Sequence, residues 1–361
     1  MRARINAEAF YDAMKKVSGA LRRTAIPSLE QIRVDFENGV CRLTASDLTL
    51  WLSVEIPAEG DSFSFMFSNT ANAVRACRYY GGDLTVELCG GGEDMKARFC
   101  AESKSGVFSV QDVSMCPTWP NEEPQQHYVL DAPALLERIK KVKYAVLLSD
   151  SKPAFAGVRF DGNHVCCVDG LRLALNDDPS LTVERSFILP CYALAQLKLF
   201  DAGDTDLCIG PRYAWFSSAD TKLLIRRLVA ADELRIENVV PAHSAESCWV
   251  ERKKLSDAID YLDGCSRGMP HPYVFFNGRE LILNNGGFEY SVLLKADGAS
   301  QIRYAFDLTK MKDALKQFAD EKKVCICVSS KTAPIVLRGD GPNTALLLPV
   351  RLSSNSQWNA A

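Results

Sequence analysis

Met14-Lys15-Lys16-Val17 recurs 125 positions further on as Ile139-Lys140-Lys141-Val142, and the fold is read outward from that echo. Both copies sit in amphipathic helical stretches. Phe10, Met14, Val17 and Leu21 make one apolar stripe, and Leu135, Leu136, Ile139, Val142 and Val146 make another. These stripes turn Lys15, Lys16 and Arg23, and then Lys140 and Lys141, to the opposite faces. A proline and a strand pair around a polar turn follow each time: Pro27 with Ile32 to Phe36, and Pro153 with Val158 to Asp161. A weaker third copy opens at Glu251 to Cys265 and continues through Pro272 to Val274–Gly278. In each third a second helix leads to another strand, at Leu84–Leu88, Leu207–Ile209 and Val324–Ile326.

Each third thus reads helix, strands, helix, strands. The strand runs alternate apolar and polar residues and are joined by Asn-Gly, Gly-Gly and Asp-Gly turns. That pattern predicts an α+β protein of three repeated domains, each with two helices packed on antiparallel sheets. A length of 361 residues suits two or three domains. The repeat is too long for a solenoid, so each unit is expected to own a core. The Pro-rich polar stretch at 117–126 and the segment at 241–246 set the expected domains at 1–123, 124–245 and 246–361, with a short tail from 353.

Composition narrows the class. With 47% hydrophobic and 24% charged residues the chain is an ordinary globular protein. No apolar run approaches the ~18 residues of a membrane helix, and the first residues lack a secretory segment, so a cytoplasmic protein with no membrane partner is expected. Thirteen cysteines sit singly in strand-like runs, without a CxxC pair, and read as small core hydrophobes. No metal and no cofactor is expected.

The net charge of −3 argues mildly against nucleic acid. Its distribution argues the other way. The six expected helices, 7–23, 70–80, 131–146, 190–201, 251–265 and 308–323, hold 19 Lys and Arg against 12 Asp and Glu, and the rest of the chain is acidic. Basic helices on one surface can hold a polyanion that an acidic exterior repels elsewhere. For any single helix, solvating lysines are the better account of the count, and it is the segregation across all six that points to a polyanion.

Three further stretches resemble the bacterial DNA polymerase III beta subunit family, the sliding clamps. They are Val17-Ser18-Gly19 with Ile26-Pro27 and the strand pair ending Leu43-Thr44-Ala45-Ser46-Asp47-Leu48; Val168-Asp169-Gly170-Leu171-Arg172-Leu173-Ala174; and Leu348-Pro349-Val350-Arg351-Leu352. The resemblance spans nearly the whole chain. It implies a head-to-tail homodimer forming a six-domain ring, its helices lining a pore around double-stranded DNA. It also implies a non-catalytic processivity factor that slides without reading sequence. The implied DNA-facing residues are Lys15, Lys16, Arg22, Arg23, Arg75, Arg78, Lys140, Lys141 and Lys198; Ala71 replaces a basic residue of the family. The DNA polymerase III catalytic subunit, the clamp loader and repair proteins are the implied partners, docking through linear peptides. Their pocket would be lined by Lys152, Phe155, Val168, Gly170, Leu171, Arg172, Leu173, Leu234, Val239, Leu346, Leu348, Pro349 and Val350. Phe108 and Val110 match the family's dimer joint. Leu171 stands where the family often has His, Leu234 where it often has Pro, and Ser353–Ala361 runs past the usual terminus. These departures leave open a paralogue with altered partners.

An enzyme is the rival class. The chain holds no GxGxxG, Walker loop, HExxH or GxSxG motif, and its four histidines are scattered. Asp47 and Asp169 fall at equivalent points of successive repeats, which favours a turn role over a carboxylate pair. Gln196-Leu197-Lys198-Leu199-Phe200 looks like a clamp-binding peptide, yet it lies where a buried helical stripe is expected.

Overall fold

The computed structural model describes residues 1–147, 152–201, 203–229, 236–297 and 301–351. The chain forms two compact units: Met1–Leu136 with Tyr192–Arg227, and Glu137–Cys191 with the chain from Leu228 onward. The expected middle stretch is therefore shared between them.

In the first unit, twelve antiparallel strands form one sheet. Strand Leu50–Gly60 is its fork. Its end pairs with Arg2–Asn6, closing the sheet on itself, while its beginning pairs with Thr221–Arg226, with Trp51 opposite Leu224. Helix Ala7–Val17 packs on the inner face, capped where Asn6 Oδ1 accepts the Ala9 N–H at 2.9 Å. It buries Phe10, Met14 and Val17, each worth roughly 1.5–3 kcal/mol of removed apolar surface.

In the second unit, Gly157–Gly162, His164–Val168, Arg172–Asp177 and Val183–Pro190 continue through Asn343–Leu347 into a nine-stranded sheet. Leu173 there faces Leu346. A separate four-stranded sheet ends at Phe288–Leu293. Helices Arg252–Cys265 and Leu308–Lys316 bury Leu255, Ile259, Leu262, Met311 and Leu315 in a single core with Val274, Phe306 and Ile326.

The expected helices are present but shorter. The first ends at Val17, where Ser18 Oγ donates to Met14 O at 2.7 Å and a 3₁₀ turn follows. The fourth is helical only over Cys191–Leu194 before tightening to 3₁₀ over Ala195–Leu199. Its Leu197 and Phe200 are buried, so Gln196–Phe200 is core and not a projecting peptide. Both aspartates make turns. Asp47 Oδ1 accepts the N–H groups of Thr49 and Leu50, and Asp169 Oδ1 those of Leu171 and Arg172. The residue after each is left-handed: Gly170 at no steric cost, Leu48 against its side chain. All thirteen cysteines are free and seven are buried; burial pushes the Cys166 thiol up to about 12.

Candidate functional site

Among the described residues, the basic side chains divide into those that no carboxylate holds and those that are tethered. Lys15, Arg23, Arg78 and Lys198 are exposed. Lys16 Nζ lies 3.7 Å from Asp220, and Lys140 bonds Glu137 at 2.6 Å. Lys141 bonds Asp320, whose carboxyl is held below its usual range by that hydrogen bond. Arg75 donates to Ala71 O and to Asn72 on its own helix. Arg22 is the most constrained. Its guanidinium stacks 3.5 Å above the Tyr192 ring and reaches Asp47 at 3.2 Å, while the Tyr192 hydroxyl donates to the same carboxylate at 3.0 Å. Burial pushes the Tyr192 phenol up, and the Asp47 charge adds to it. Gln196 Nε2 donates to Gly19 O at 2.9 Å, so the 3₁₀ segment carrying Lys198 is fastened to the end of the first helix. That bond brings the Arg22–Arg23 segment and Lys198 to one side of the first unit.

In the second unit, twelve of the thirteen expected pocket residues are described; Leu234 lies outside the described residues, as does the tail 353–361. They sort into a floor and a rim. Leu173 and Leu346, 1% and 3% exposed, are packed among Cys166, Leu175, Ile236, Cys325, Cys327 and Val336, with Val168, Val239 and Trp249 against them. They are the floor. The rim is Leu171 and Leu348, 51% and 43% exposed, locked side by side where the Leu348 N–H donates to Leu171 O at 2.8 Å. Phe155 is half-buried, with Lys152 Nζ 5.3 Å from its ring and Gly170 beside it. Val350 is anchored by its N–H on Ala305 O and packs on Phe275 and Ile282, which fixes the direction of Pro349.

Arg172 is engaged by its own unit. Its Nε bonds Asp169 at 2.8 Å, its Nη1 bonds Asp313 at 3.0 Å, and the guanidinium lies 5.4 Å from the Tyr144 ring centre. Burial works against the Asp313 carboxylate, but hydrogen bonds from Lys316 and Arg172 bring its pKa down overall. Arg172 thus ties a strand of the pocket to helix Leu308–Lys316. Asp313 stands 141 residues away and gave no sequence signal.

Strand Lys104–Gln111 carries the expected dimer residues. Phe108 turns inward, its ring 4.9 Å from Phe99 and 5.8 Å from Phe67, and Val110 is 3% exposed. The outward apolar residue is Val107. Over 104–108 the strand pairs on one side only, with Lys96–Ala101, among the described residues; at Ser109 the Ser68 N–H already bonds its carbonyl from the other side. Phe288–Leu293 is likewise an edge, paired only with Glu280–Asn285 among the described residues.

Repeated helix pairs on antiparallel sheets, with basic residues on the helices and strand edges left open, are the fold of the DNA clamps. The particular likeness is to the beta subunit of bacterial DNA polymerase III. The chain superposes on a putative beta subunit from Eubacterium rectale with a TM-score of 0.86, at 19% identity and covering 98% of this chain and 100% of that one. On the sliding clamp of Bacillus subtilis the TM-score is 0.85 at 18% identity, with the same coverage. In sequence the chain is 23% identical to the beta sliding clamp of Staphylococcus aureus over 367 aligned positions, 94% of this chain and 95% of that protein. No family model matches the chain.

Proposed function

We propose that the chain is a DNA sliding clamp: a non-catalytic processivity factor that closes as a homodimer around double-stranded DNA and tethers a replicative polymerase. The carrying observation is that the likeness to beta sliding clamps runs end to end, over 98% of the chain in structure and 94% in sequence. Three clamp domains, 1–123, 124–245 and 246–361, are the proposed evolutionary units, and the open edges 104–108 and 288–293 the surfaces that join two copies. Exposed Lys15, Arg23, Arg78 and Lys198 are the proposed phosphate contacts, because sliding needs weak, sequence-blind attraction. The Leu171–Leu348 rim, with Phe155, Pro349 and Val350, is the proposed landing site for linear peptides of the polymerase, clamp loader and repair proteins. No helix among the described residues is long and apolar enough to cross a membrane, and the proposed site of action is the cytoplasm.

The test is light scattering together with retention on DNA. A dimer that stays on nicked circular DNA and runs off the linearised form supports the reading. A monomer, or equal retention on both forms, overturns it.

A further inference from the structure

The strand junction that carries the Leu171–Leu348 rim occurs twice in the chain. In the first unit Trp51 faces Leu224 and the Arg226 N–H donates to Thr49 O at 2.7 Å; in the second Leu173 faces Leu346 and the Leu348 N–H donates to Leu171 O at 2.8 Å. Each residue and its counterpart stand 122 positions apart. By the same register Thr44 corresponds to Cys166, Ser53 to Leu175 and Lys222 to Thr344.

Chemically the two copies diverge. In the second unit Cys166 and Leu175 fill the outer face of the sheet as part of an apolar cluster. In the first, Thr44 and Ser53, only 9% and 4% exposed, floor a cleft of about 430 Å³ with Trp119 and Pro117 in its wall. Ser53 is shorter than its counterpart Leu175, and Thr44 puts a hydroxyl where Cys166 has a thiol. The segment carrying Pro117 and Trp119 borders the space without filling it, whereas Ile236 and Val239 cover the counterpart face of the second unit. That volume is the size of a small-ligand site.

We propose that this cleft is a second docking site, taking a short extended peptide that carries a carboxylate beside an apolar side chain. It lies in a different unit from the peptide rim and goes beyond the clamp reading. The walls favour an acceptor-rich guest. Arg33 is spent on Asp35, its Nε 2.9 and 2.8 Å from the two carboxylate oxygens. Arg42 uses its Nε on Glu55 at 2.8 Å, and its Nη groups have no acceptor among the described residues and can donate. Lys222 has no carboxylate within ion-pair distance among the described residues, and it lies across the floor, beside Ser53 in the register. Trp119, 38% exposed, offers a flat apolar wall. Asp35 and Glu55 restrict the guest to a modest negative charge, which disfavours a phosphate backbone and suits one or two carboxylates.

The experiment uses the full chain and two fluorescein-labelled peptides, Gly-Glu-Ser-Asp-Phe-Gly and its neutral counterpart Gly-Gln-Ser-Asn-Phe-Gly, followed by anisotropy. The acidic peptide should bind saturably and the neutral one about tenfold more weakly. Ser53→Leu, which installs the second unit's residue, should close the cleft and abolish binding. Lys222→Glu, on the surface and safe for folding, should weaken binding at least about tenfold, by charge reversal. Leu348→Asp should leave it intact. No saturable binding by the acidic peptide, equal binding of both peptides, or loss in Leu348→Asp with retention in Lys222→Glu overturns the proposal. So does tight binding of an oligo-dT strand that Lys222→Glu removes, since the cleft would then hold nucleic acid. None of these outcomes touches the retention test of the clamp reading.

Discussion

Replacing Arg172 with Met should loosen the second unit in a way that can be read locally. The guanidinium makes two charged hydrogen bonds, 2.8 Å to Asp169 and 3.0 Å to Asp313, with its own side chain only 15% exposed. A hydrogen bond to a charged partner contributes about 1.5–3 kcal/mol, and the partial exposure of Asp313 calls for the low end. Two bonds at about 1.5 kcal/mol give roughly 3 kcal/mol, or about a hundredfold in an opening equilibrium. Met keeps an aliphatic stem of similar length, so what is lost is the guanidinium, with its two bonds and its seat over the Tyr144 ring. Hydrogen exchange on the amides of Leu308–Lys316 should therefore speed up about a hundredfold, while helix Ala7–Val17 in the other unit keeps its protection. A pH signature follows. The pKa of Asp313 is depressed in the folded chain, so its contribution is present above the unfolded carboxylate value and fades as pH falls through the folded one. The variant should lose part of that acid-side dependence. A change in exchange below about fivefold, or one spread equally over both units, would refute the claim that Arg172 is a tether.

Val107→Asp should yield a folded monomer by light scattering, because Val107 faces outward on an open edge. Phe108→Asp should instead lower the melting temperature, since its ring packs on Phe99 and Phe67; a dimeric Val107→Asp would remove this edge from the proposed joint. For the rim, Leu348→Asp should weaken a Gln-Leu-Ser-Leu-Phe peptide at least about tenfold in an anisotropy titration, by placing a charge where an aliphatic anchor docks. Leu173→Asp should unfold the site, being buried, and equal peptide affinity in Leu348→Asp and the parent chain would disprove the rim assignment. Among the cations, changing Lys15, Arg23 and Lys198 together to Ala should shrink the salt dependence of DNA retention by roughly 0.9 in log–log slope for each phosphate left without its cation. Changing Lys140 and Lys141, already paired with Glu137 and Asp320, should have the smaller effect; the reverse order would assign the DNA-facing role to the wrong residues.

Much of the architecture was legible in the chain before folding. The order of helices and strands follows from apolar spacing, and the turns at Asp47 and Asp169 follow from side chains that bond their own backbone two and three residues on. Such signals are local, so they survive in one dimension. Helix ends were less legible because a 3₁₀ turn and an α turn share the same residues and differ only in how tightly tertiary packing winds them. The pocket positions came from resemblance, and they mix two depths that the sequence writes alike. Leu173 and Leu348 are both leucines in apolar runs, yet one is covered by Ile236 and its neighbours and the other is open.

By itself, then, the sequence determined the repeat, the element types and the pool of basic residues, since each depends on neighbours a few positions away. Only the tertiary structure decided which strands join across repeats, such as Leu50–Val54 with Thr221–Ile225 and Arg172–Asn176 with Asn343–Leu347. It alone decided that Lys141 is neutralised by a carboxylate 179 residues away, and that Ser53 leaves a hollow where Leu175 fills one. The physical reason is common to all three. Packing and charge pairing are sums over groups that chain folding brings together, and no window of sequence contains both partners.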